Sequence, residues 1–203
     1  MQDAMLHYMR TCFATQARTG KPAPRRGGKS VAGTNSPSGL YQCKPLGSND
    51  WIYITTSRGN PEHWGRLMKL IGREELIDDP RFATGATRVQ HEAEVDAIIN
   101  EWTRRHTKEE AMTLISGVGV PAGAVFDTME LQNDPSFEKR GIMQVMQHAN
   151  GPFKMPTWPV RVDGETVRIK PSPRLGEHSA EVLSSWLGVG AEEIAALKKD
   201  GVL

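Results

Sequence analysis

The feature that most restricts the fold of this chain is a glycine- and proline-rich segment, residues 19–39, near its start. Glycine adopts conformations that regular elements do not use, and proline removes a backbone donor, so their density here prevents a helix or strand. These residues are Gly20, Pro22, Pro24, Gly27, Gly28, Gly33, Pro37 and Gly39. We therefore expect a leading helical segment, then a loop, then the body of the fold.

Residues 1–18, ahead of this loop, have an apolar pattern of helical period. Apolar side chains recur every three or four residues, which predicts an amphipathic helix with a broad apolar face. They are Ala4, Met5, Tyr8, Met9, Cys12 and Phe13. No capping residue precedes the pattern, which favours a chain cut just before this helix. The composition also resembles a mitochondrial presequence, but Asp3 is unfavourable for one, and we interpret the segment as part of the fold.

Beyond the loop, the chain alternates between strand and helix patterns. The predicted elements are strands at 40–44 and 51–56, helices beginning near Pro61, Thr87 and Thr107, and a short buried strand within 118–126. Thr87 with Gln90 and Thr107 with Glu110 have the spacing of capping boxes, which fixes where two of these helices begin. The residues of the third helix expected to face inward are Ala111, Leu114 and Ile115.

The chain from Asp134 onward contains short elements separated by strong turn signals. Asp134-Pro135 is a helix start, and Asn150-Gly151 is a hairpin turn that follows a strand at 142–147. A second turn, Asp163-Gly164, precedes two short helices with apolar stripes. This part of the chain is therefore predicted to be a hairpin followed by a helical tail.

These patterns predict an α/β fold in three parts. Residues 1–30 are a helix and linker, residues 31–140 are a small α/β domain, and residues 141–203 are a C-terminal hairpin and helix segment. The two flanking parts have apolar faces without an evident partner in this chain. We expect them to pack against further protein.

Charge and cysteine content exclude several classes of function. The formal net charge of +1 gives no field that would attract nucleic acid or an anionic membrane, and no stretch is apolar enough to span a bilayer. Cys12 and Cys43 do not make a disulfide framework, which favours a cytoplasmic protein. The histidines have no metal-ligand spacing, so no metal site is predicted.

Residues 27–39 are the most site-like stretch of the sequence. Small residues let a backbone approach a ligand closely, and successive N–H groups can hold an anion or a thioester oxygen. A flexible linker explains the same composition equally well. The nearby Arg25, Arg26 and Lys29 could bind phosphates or could form a solvated basic loop.

Four segments, taken together, resemble one family. The tail at 171–203 carries Leu-Gly-Glu-His before a helix, and residues 119–143 carry Val-Pro-Ala followed by Asp-Pro and Arg-Gly. Residues 60–92 and the helix at 1–10 also match, in the same order along the chain. The pattern is similar to the C-terminal half of the class III coenzyme A transferases, the CaiB/BaiF family that includes formyl-CoA transferases.

This resemblance implies the C-terminal portion of the CoA-transferase family III fold, in which a small domain closes over a large CoA-binding domain. It implies acyl-CoA and carboxylic acid substrates, with the CoA thioester as a substrate and no permanently bound cofactor. The implied reaction moves CoA from one acid to another through an aspartyl-CoA intermediate. The implied partner is a second copy in an interlocked homodimer, or a missing N-terminal half.

The same resemblance assigns no catalytic residue to this chain, because the family's nucleophilic aspartate lies upstream of the helix at its start. The isolated chain is therefore expected to be inactive. Alignment with the family's glycine-rich loop assigns substrate binding to Gly33, Thr34, Asn35, Ser36 and Pro37. Because Thr34, Asn35 and Ser36 replace glycines of formyl-CoA transferases, we expect a stiffer loop with side-chain hydrogen bonds. This difference puts formyl-CoA and oxalate in doubt as the specific substrates.

Two alternatives stay open at this point. Related α-methylacyl-CoA racemases carry an acidic residue before the proline at 61, where this chain has Asn60, which cannot act as a base. That difference favours a transferase over a racemase half. The other alternative is a non-catalytic remnant that only binds a partner, since the Met/Tyr/Phe face of residues 4–13 has no partner in the sequence.

Overall fold

The computed structural model describes residues 1–30 and 33–203 and has the mixed α/β character expected from the sequence. It divides into two compact units, Met1–Asp127 and Thr128–Leu203, which are described here one at a time. In the described residues, no helix combines the length and the apolar character that a membrane crossing needs.

The first unit begins with two helices, where the sequence pattern predicted one. α1 spans Gln2–Tyr8 and α2 spans Arg10–Thr19, with a turn at Met9. The Met9 N–H lies 3.3 Å from the Met5 carbonyl oxygen and 3.1 Å from that of Leu6, so the helix tightens there toward a 3-10 turn. Neither helix has a buried residue, and Tyr8 is 79% exposed. The apolar face of this segment is therefore uncovered within the unit.

A three-stranded antiparallel sheet is the centre of the first unit. β1 (Ser38–Gln42) pairs with β2 (Trp51–Thr55), and β2 pairs with β3 (Ala122–Ala124). β1 begins two residues before the predicted strand, because Ser38 already pairs with Thr55. Along β2, Ile52 and Ile54 are fully buried whereas their neighbours are partly exposed. This alternation shows that one face of the sheet carries the core.

Helices cover that face of the sheet. They are α3 (Glu62–Ile71), α4 (Gly85–Gln90), α5 (Glu92–Thr103) and α6 (Lys108–Gly117), with a 3-10 turn at Glu74–Leu76. Their buried apolar residues join those of the strands in one cluster, which includes Tyr41, Cys43, Ile52, Ile54, Trp64, Leu67, Met68, Phe82, Val95, Ile99, Ala111 and Ile115. The core expected from the apolar stripes is therefore present.

One predicted helix start is confirmed and another is wrong. Thr107 and Glu110 form the expected capping box of α6. The other box is Thr84 with Thr87, three residues earlier than the predicted pair, because Thr87 supplies its hydroxyl to the Thr84 N–H from inside the helix. The predicted inward position of Leu114 is also wrong. It is 41% exposed, since the buried face of α6 runs through Ala111 and Ile115.

The second unit contains the predicted hairpin and helical tail. Its elements are α7 (Thr128–Asn133), α8 (Pro135–Lys139), β4 (Met143–His148), β5 (Gly151–Pro156), β6 (Arg161–Val162), β7 (Glu165–Thr166), α9 (Ser179–Leu187) and α10 (Ala191–Lys199). The turns at Asn150-Gly151 and Asp163-Gly164 are confirmed, and Asp134 caps α8 by accepting from the Ser136 N–H at 2.7 Å. Helix α7 was not predicted.

The two thiols provide a test of the core. Cys43 is fully buried, and burial followed by the charge of Asp50 raises the pKa of its thiol to about 11. Cys12 is partly exposed on α2. Because the thiolate is the reactive form, we expect one fast-reacting thiol per chain in a native thiol-titration assay at pH 8. Both thiols should react once the chain is unfolded in guanidinium.

The matched variant is Cys12→Ser, which should leave no fast-reacting thiol in the native chain. Fast reaction of two thiols without denaturant would mean that Cys43 is not in the core.

Candidate functional site

The first unit contains a cleft of about 660 Å³ beside the loop that precedes β1. This volume is in the range of small-molecule sites. The cleft is lined by Arg18, Gly33, Thr34, Asn35, Ser57, Arg58, Pro61, Ala83, Thr84, Gly85, Ala86, Arg88, Val89 and Gln90. The loop, the end of β2 and the start of α4 thus contribute to one surface.

The loop is fixed to the end of β2 by hydrogen bonds between Thr56 and two loop residues, Asn35 and Pro37. The Asn35 Nδ2 donates to both the carbonyl oxygen and the Oγ1 of Thr56, the latter at 2.6 Å. The Thr56 N–H donates to the Pro37 carbonyl oxygen at 2.9 Å. Asn35 and Thr56 are both buried, so water does not compete with these bonds. The sequence predicted side-chain hydrogen bonds from the loop residues that replace glycines, and Asn35 makes such a bond.

Arg88 holds the same loop from the other side. Its side chain is buried, and its Nε and Nη1 donate to the carbonyl oxygens of Ser36 and Phe82, each at 2.6 Å. The guanidinium carbon lies 4.8 Å from the centre of the Trp64 ring, within cation–π distance. Burial lowers the pKa of Arg88 to about 10, and the described residues place no carboxylate in contact with it. The cation therefore has neutral partners.

The structure brings three of the five predicted binding residues to the cleft. Gly33, Thr34 and Asn35 line it, whereas Ser36 and Pro37 are fully buried behind them. The Ser36 Oγ has no hydrogen-bond partner among the described residues. Gly33 has a φ of 55°, where a side chain would be strained, and a Cβ there would lie 3.2 Å from Arg26. That residues 33–37 contact a substrate stays a prediction.

Two of the three basic residues near the loop are engaged by carboxylates. Arg26 contacts Glu92 at 2.6 Å, and Lys29 contacts Asp96 at 2.5 Å and Glu92 at 3.2 Å. These ion pairs join the start of the loop to α5. Arg26 and Lys29 thus have a structural role in this unit.

Sequence reasoning missed the part of the cleft that α4 contributes. Gly85, the first residue of α4, is so close to the loop that a Cβ there would lie 2.4 Å from Asn35 Oδ1. Arg88, four residues after the cap Thr84, lies within the segment 60–92 that matches the family, but that match did not place it in a cleft. The sequence did contain one signal for this part of the cleft. Gly85 and Ala86 precede Arg88, and small residues next to a cationic side chain leave space around it.

The polar residues Asn60 and Asp79 have local structural roles. Asn60 Oδ1 accepts from the Glu62 N–H at 3.1 Å and so caps the start of α3. Asp79 accepts from the Arg81 N–H at 2.9 Å, and the Arg81 side chain lowers the pKa of this carboxyl. In the described part of the chain, no group of three or more histidine, cysteine or acidic side chains is placed to hold a metal ion.

The contact between Gly85 and Asn35 can be tested by Gly85→Ala. The added methyl would displace Asn35 from Thr56, so we expect the free energy of unfolding in urea to fall by about 1–3 kcal/mol. Gly117→Ala in α6 is the matched control, because a Cβ there meets nothing within 4 Å. The control should be neutral or more stable by up to ~1 kcal/mol from helix propensity. Equal stability changes in the two variants would contradict the packing of the loop on α4.

Comparison with known proteins agrees with the sequence resemblance. A family model described as CoA-transferase family III matches residues 1–179. A formyl-CoA:oxalate CoA-transferase of Streptomyces avermitilis is 32% identical over the whole of this chain and 52% of its own length. An Escherichia coli protein of the same name is 31% identical, over 98% of this chain and 51% of its own length. The chain therefore spans about half the length of these relatives.

Solved structures give the same fold. A CAIB/BAIF family protein from Brucella suis superposes with a TM-score of 0.71 at 26% identity, covering 90% of this chain and 45% of its own. A hypothetical protein from Mycobacterium tuberculosis superposes with a TM-score of 0.56 at 25% identity, covering 72% of this chain and 39% of its own. The predicted fold class is thus confirmed.

Proposed function

This chain belongs to CoA-transferase family III, and on that premise we propose that it supplies the C-terminal half of an enzyme that moves CoA from an acyl-CoA thioester to a carboxylic acid. The observation that carries the proposal is the match of 98–100% of the chain to curated CoA-transferases. The CoA thioester is a substrate in this reaction, and no bound cofactor is required.

The proposed chemistry uses an aspartate of the N-terminal half. Its carboxylate attacks the acyl carbonyl and releases CoA thiolate, which then attacks the resulting anhydride to give an aspartyl-CoA thioester and the free donor acid. The acceptor carboxylate displaces the thiolate to form a second anhydride. The thiolate then attacks the acceptor acyl carbon, which yields the new acyl-CoA and regenerates the aspartate. Covalent catalysis divides one slow transfer between two acids into acyl-transfer steps, each with a lower barrier.

The aspartates of this chain have surroundings that support this division of roles. Asp96 accepts from the Tyr41 hydroxyl at 2.9 Å and pairs with Lys29, and Asp134 caps α8. Asp3 lies on the exposed surface of α1. Among the described residues that line the cleft, none carries a carboxylate. We therefore assign the nucleophile to polypeptide outside this chain.

The loop is the part of the proposed active site that this chain contributes. Arg88 donates to the Ser36 carbonyl oxygen and the Thr56 N–H donates to that of Pro37, which fixes both buried residues. Gly33 and Thr34 face the cleft. We propose that these two residues, with Asn35, contact the bound acid or thioester. The doubt about formyl-CoA and oxalate remains, because the relatives of that name are about 31–32% identical to this chain.

The proposal includes a protein partner, either the N-terminal half or a second copy in an interlocked homodimer. Met5, Tyr8 and Phe13 are exposed on the leading helices, and the relatives have about twice the length of this chain. An uncovered apolar face of this kind is typical of an interface. The free thiols of Cys12 and Cys43 support the accompanying proposal of a cytoplasmic location.

Activity assays test the missing nucleophile. The purified chain should transfer no CoA from succinyl-CoA, formyl-CoA or acetyl-CoA to carboxylic acids, measured by chromatography of the acyl-CoA products. Co-expression with the N-terminal half of a relative should restore turnover, and replacement of that half's aspartate by asparagine should abolish it. Turnover by the chain alone would contradict the assignment of the nucleophile to the other half.

A racemase half is the alternative, and the structure gives Asn60 a role that disfavours it. Because Asn60 caps α3 and carries no carboxylate, it cannot remove an α-proton. The co-expressed protein should therefore incorporate no deuterium at the α-carbon of 2-methylacyl-CoA in D₂O, as followed by mass spectrometry. Exchange without CoA transfer would establish the racemase. If neither reaction occurs, light scattering will show whether the chain is a binding module.

A further inference from the structure

We propose that residues 26–30, called the strap, form an electrostatic latch: two cations of the strap bind two carboxylates of α5, and their release frees the leading helices without unfolding the core. Along the chain the strap lies between α2 and β1. Its opening involves no substrate, so the inference is independent of the proposed reaction.

The strap lies along the outer edge of β1, which is an edge strand of the three-stranded sheet. The Ser30 N–H donates to the Ser38 carbonyl oxygen at 2.8 Å. Gly28 packs so closely on Leu40 that a Cβ there would lie 2.8 Å from Leu40 Cδ1. The strap therefore covers a strand edge that would otherwise be open to solvent.

The strap is fastened to α5 by two carboxylates that lie one helical turn apart. Glu92 and Asp96 are separated by four residues and so share one face of α5. Lys29 bridges them, at 2.5 Å from Asp96 and 3.2 Å from Glu92. Arg26 contacts Glu92 at 2.6 Å. The Tyr41 hydroxyl donates to Asp96 at 2.9 Å, so a residue of the core orients this carboxylate toward the strap.

Polar contacts hold this segment to the unit. In the described range 1–30 no residue is buried, and the four ion-paired side chains are between 18% and 39% exposed. Ion pairs that water and salt can reach are weak and are screened by salt. The sheet and the helices that cover it share a buried apolar cluster instead. The strap can therefore open at a lower free energy than the core, as a local unfolding unit.

Opening of the strap has consequences on both of its sides. The Ser30 carbonyl oxygen accepts from Arg26 Nε at 2.8 Å and from the Gly33 N–H at 3.2 Å, so the latch also holds the start of the next loop. On the other side are α1 and α2, which contain no buried residue in this unit. The closed latch thus fixes the leading helices to the sheet, and the open latch lets them move.

Hydrogen exchange of the complete chain, followed by NMR, tests the latch in the double variant Glu92→Gln, Asp96→Asn. The Ser30 amide should exchange at least about tenfold faster than in the unsubstituted chain, because its bond to β1 is no longer supported by the ion pairs. The amides of Ile52 and Ile54 should keep their rates, since the core retains its packing. Unchanged exchange at Ser30, or equal acceleration at Ile52 and Ile54, would overturn the proposal.

The matched control is Glu101→Gln. Glu101 lies on the same helix but pairs with Arg105 at 2.5 Å, so its loss should leave the Ser30 rate unchanged. An acceleration at Ser30 as large as that of the double variant would show that the effect is not specific to the two strap carboxylates, and would also overturn the latch.

A second measurement uses the unsubstituted chain and does not depend on the folding of a variant. A dye on Cys12, the partly exposed thiol of α2, reports the mobility of the leading helices. Its fluorescence anisotropy should fall as NaCl is raised from about 0.05 M to about 1 M, which shortens the Debye length to about 3 Å. Anisotropy that is independent of salt would refute an electrostatic latch.

Discussion

Arg88 connects the loop before β1 to the turn before α4, because its guanidinium donates to the Ser36 and Phe82 carbonyl oxygens. Much of the first unit depends on this connection. It closes one side of the cleft, positions α4 beside the loop, and places a cation over the Trp64 ring at the edge of the core. Taking a guanidinium out of water is unfavourable, and the two carbonyl oxygens and the ring offset part of that cost. The Arg88 guanidinium keeps its net positive charge, and this charge lies beside the cleft.

The local elements could be predicted where a signal is confined to a few neighbouring residues. The Thr107 capping box, the Asn150-Gly151 hairpin and the buried alternation along β2 follow from such signals. The misplaced start of α4 has a cause outside the local pattern. Thr84 and Thr87 are both able to cap a helix, and the choice between them is made by contacts of α4 with the loop, which no local pattern records.

The cleft was predictable in part for the same reason. Composition marked residues 27–39, and alignment with the family's glycine-rich loop selected residues 33–37, three of which line the cleft. The role of Arg88 depends on a hydrogen bond across 52 positions of sequence, so its spacing from neighbours carried no information about it. The family resemblance predicted the fold and the class of reaction, because it rests on four segments in the same order along the chain. It did not identify the residues that α4 contributes to the cleft, among them Gly85 and Arg88.

The close approach of Gly85 to Asn35 makes these two positions a single unit for substitution. A methyl group at 85 is compatible with the fold when residue 35 is reduced to glycine or alanine, which frees the space and gives up the bond to Thr56. A glycine or alanine at position 35 would therefore leave room for a larger residue at position 85, whereas asparagine at 35 favours glycine at 85. Substitutions at the two positions are therefore expected to occur together.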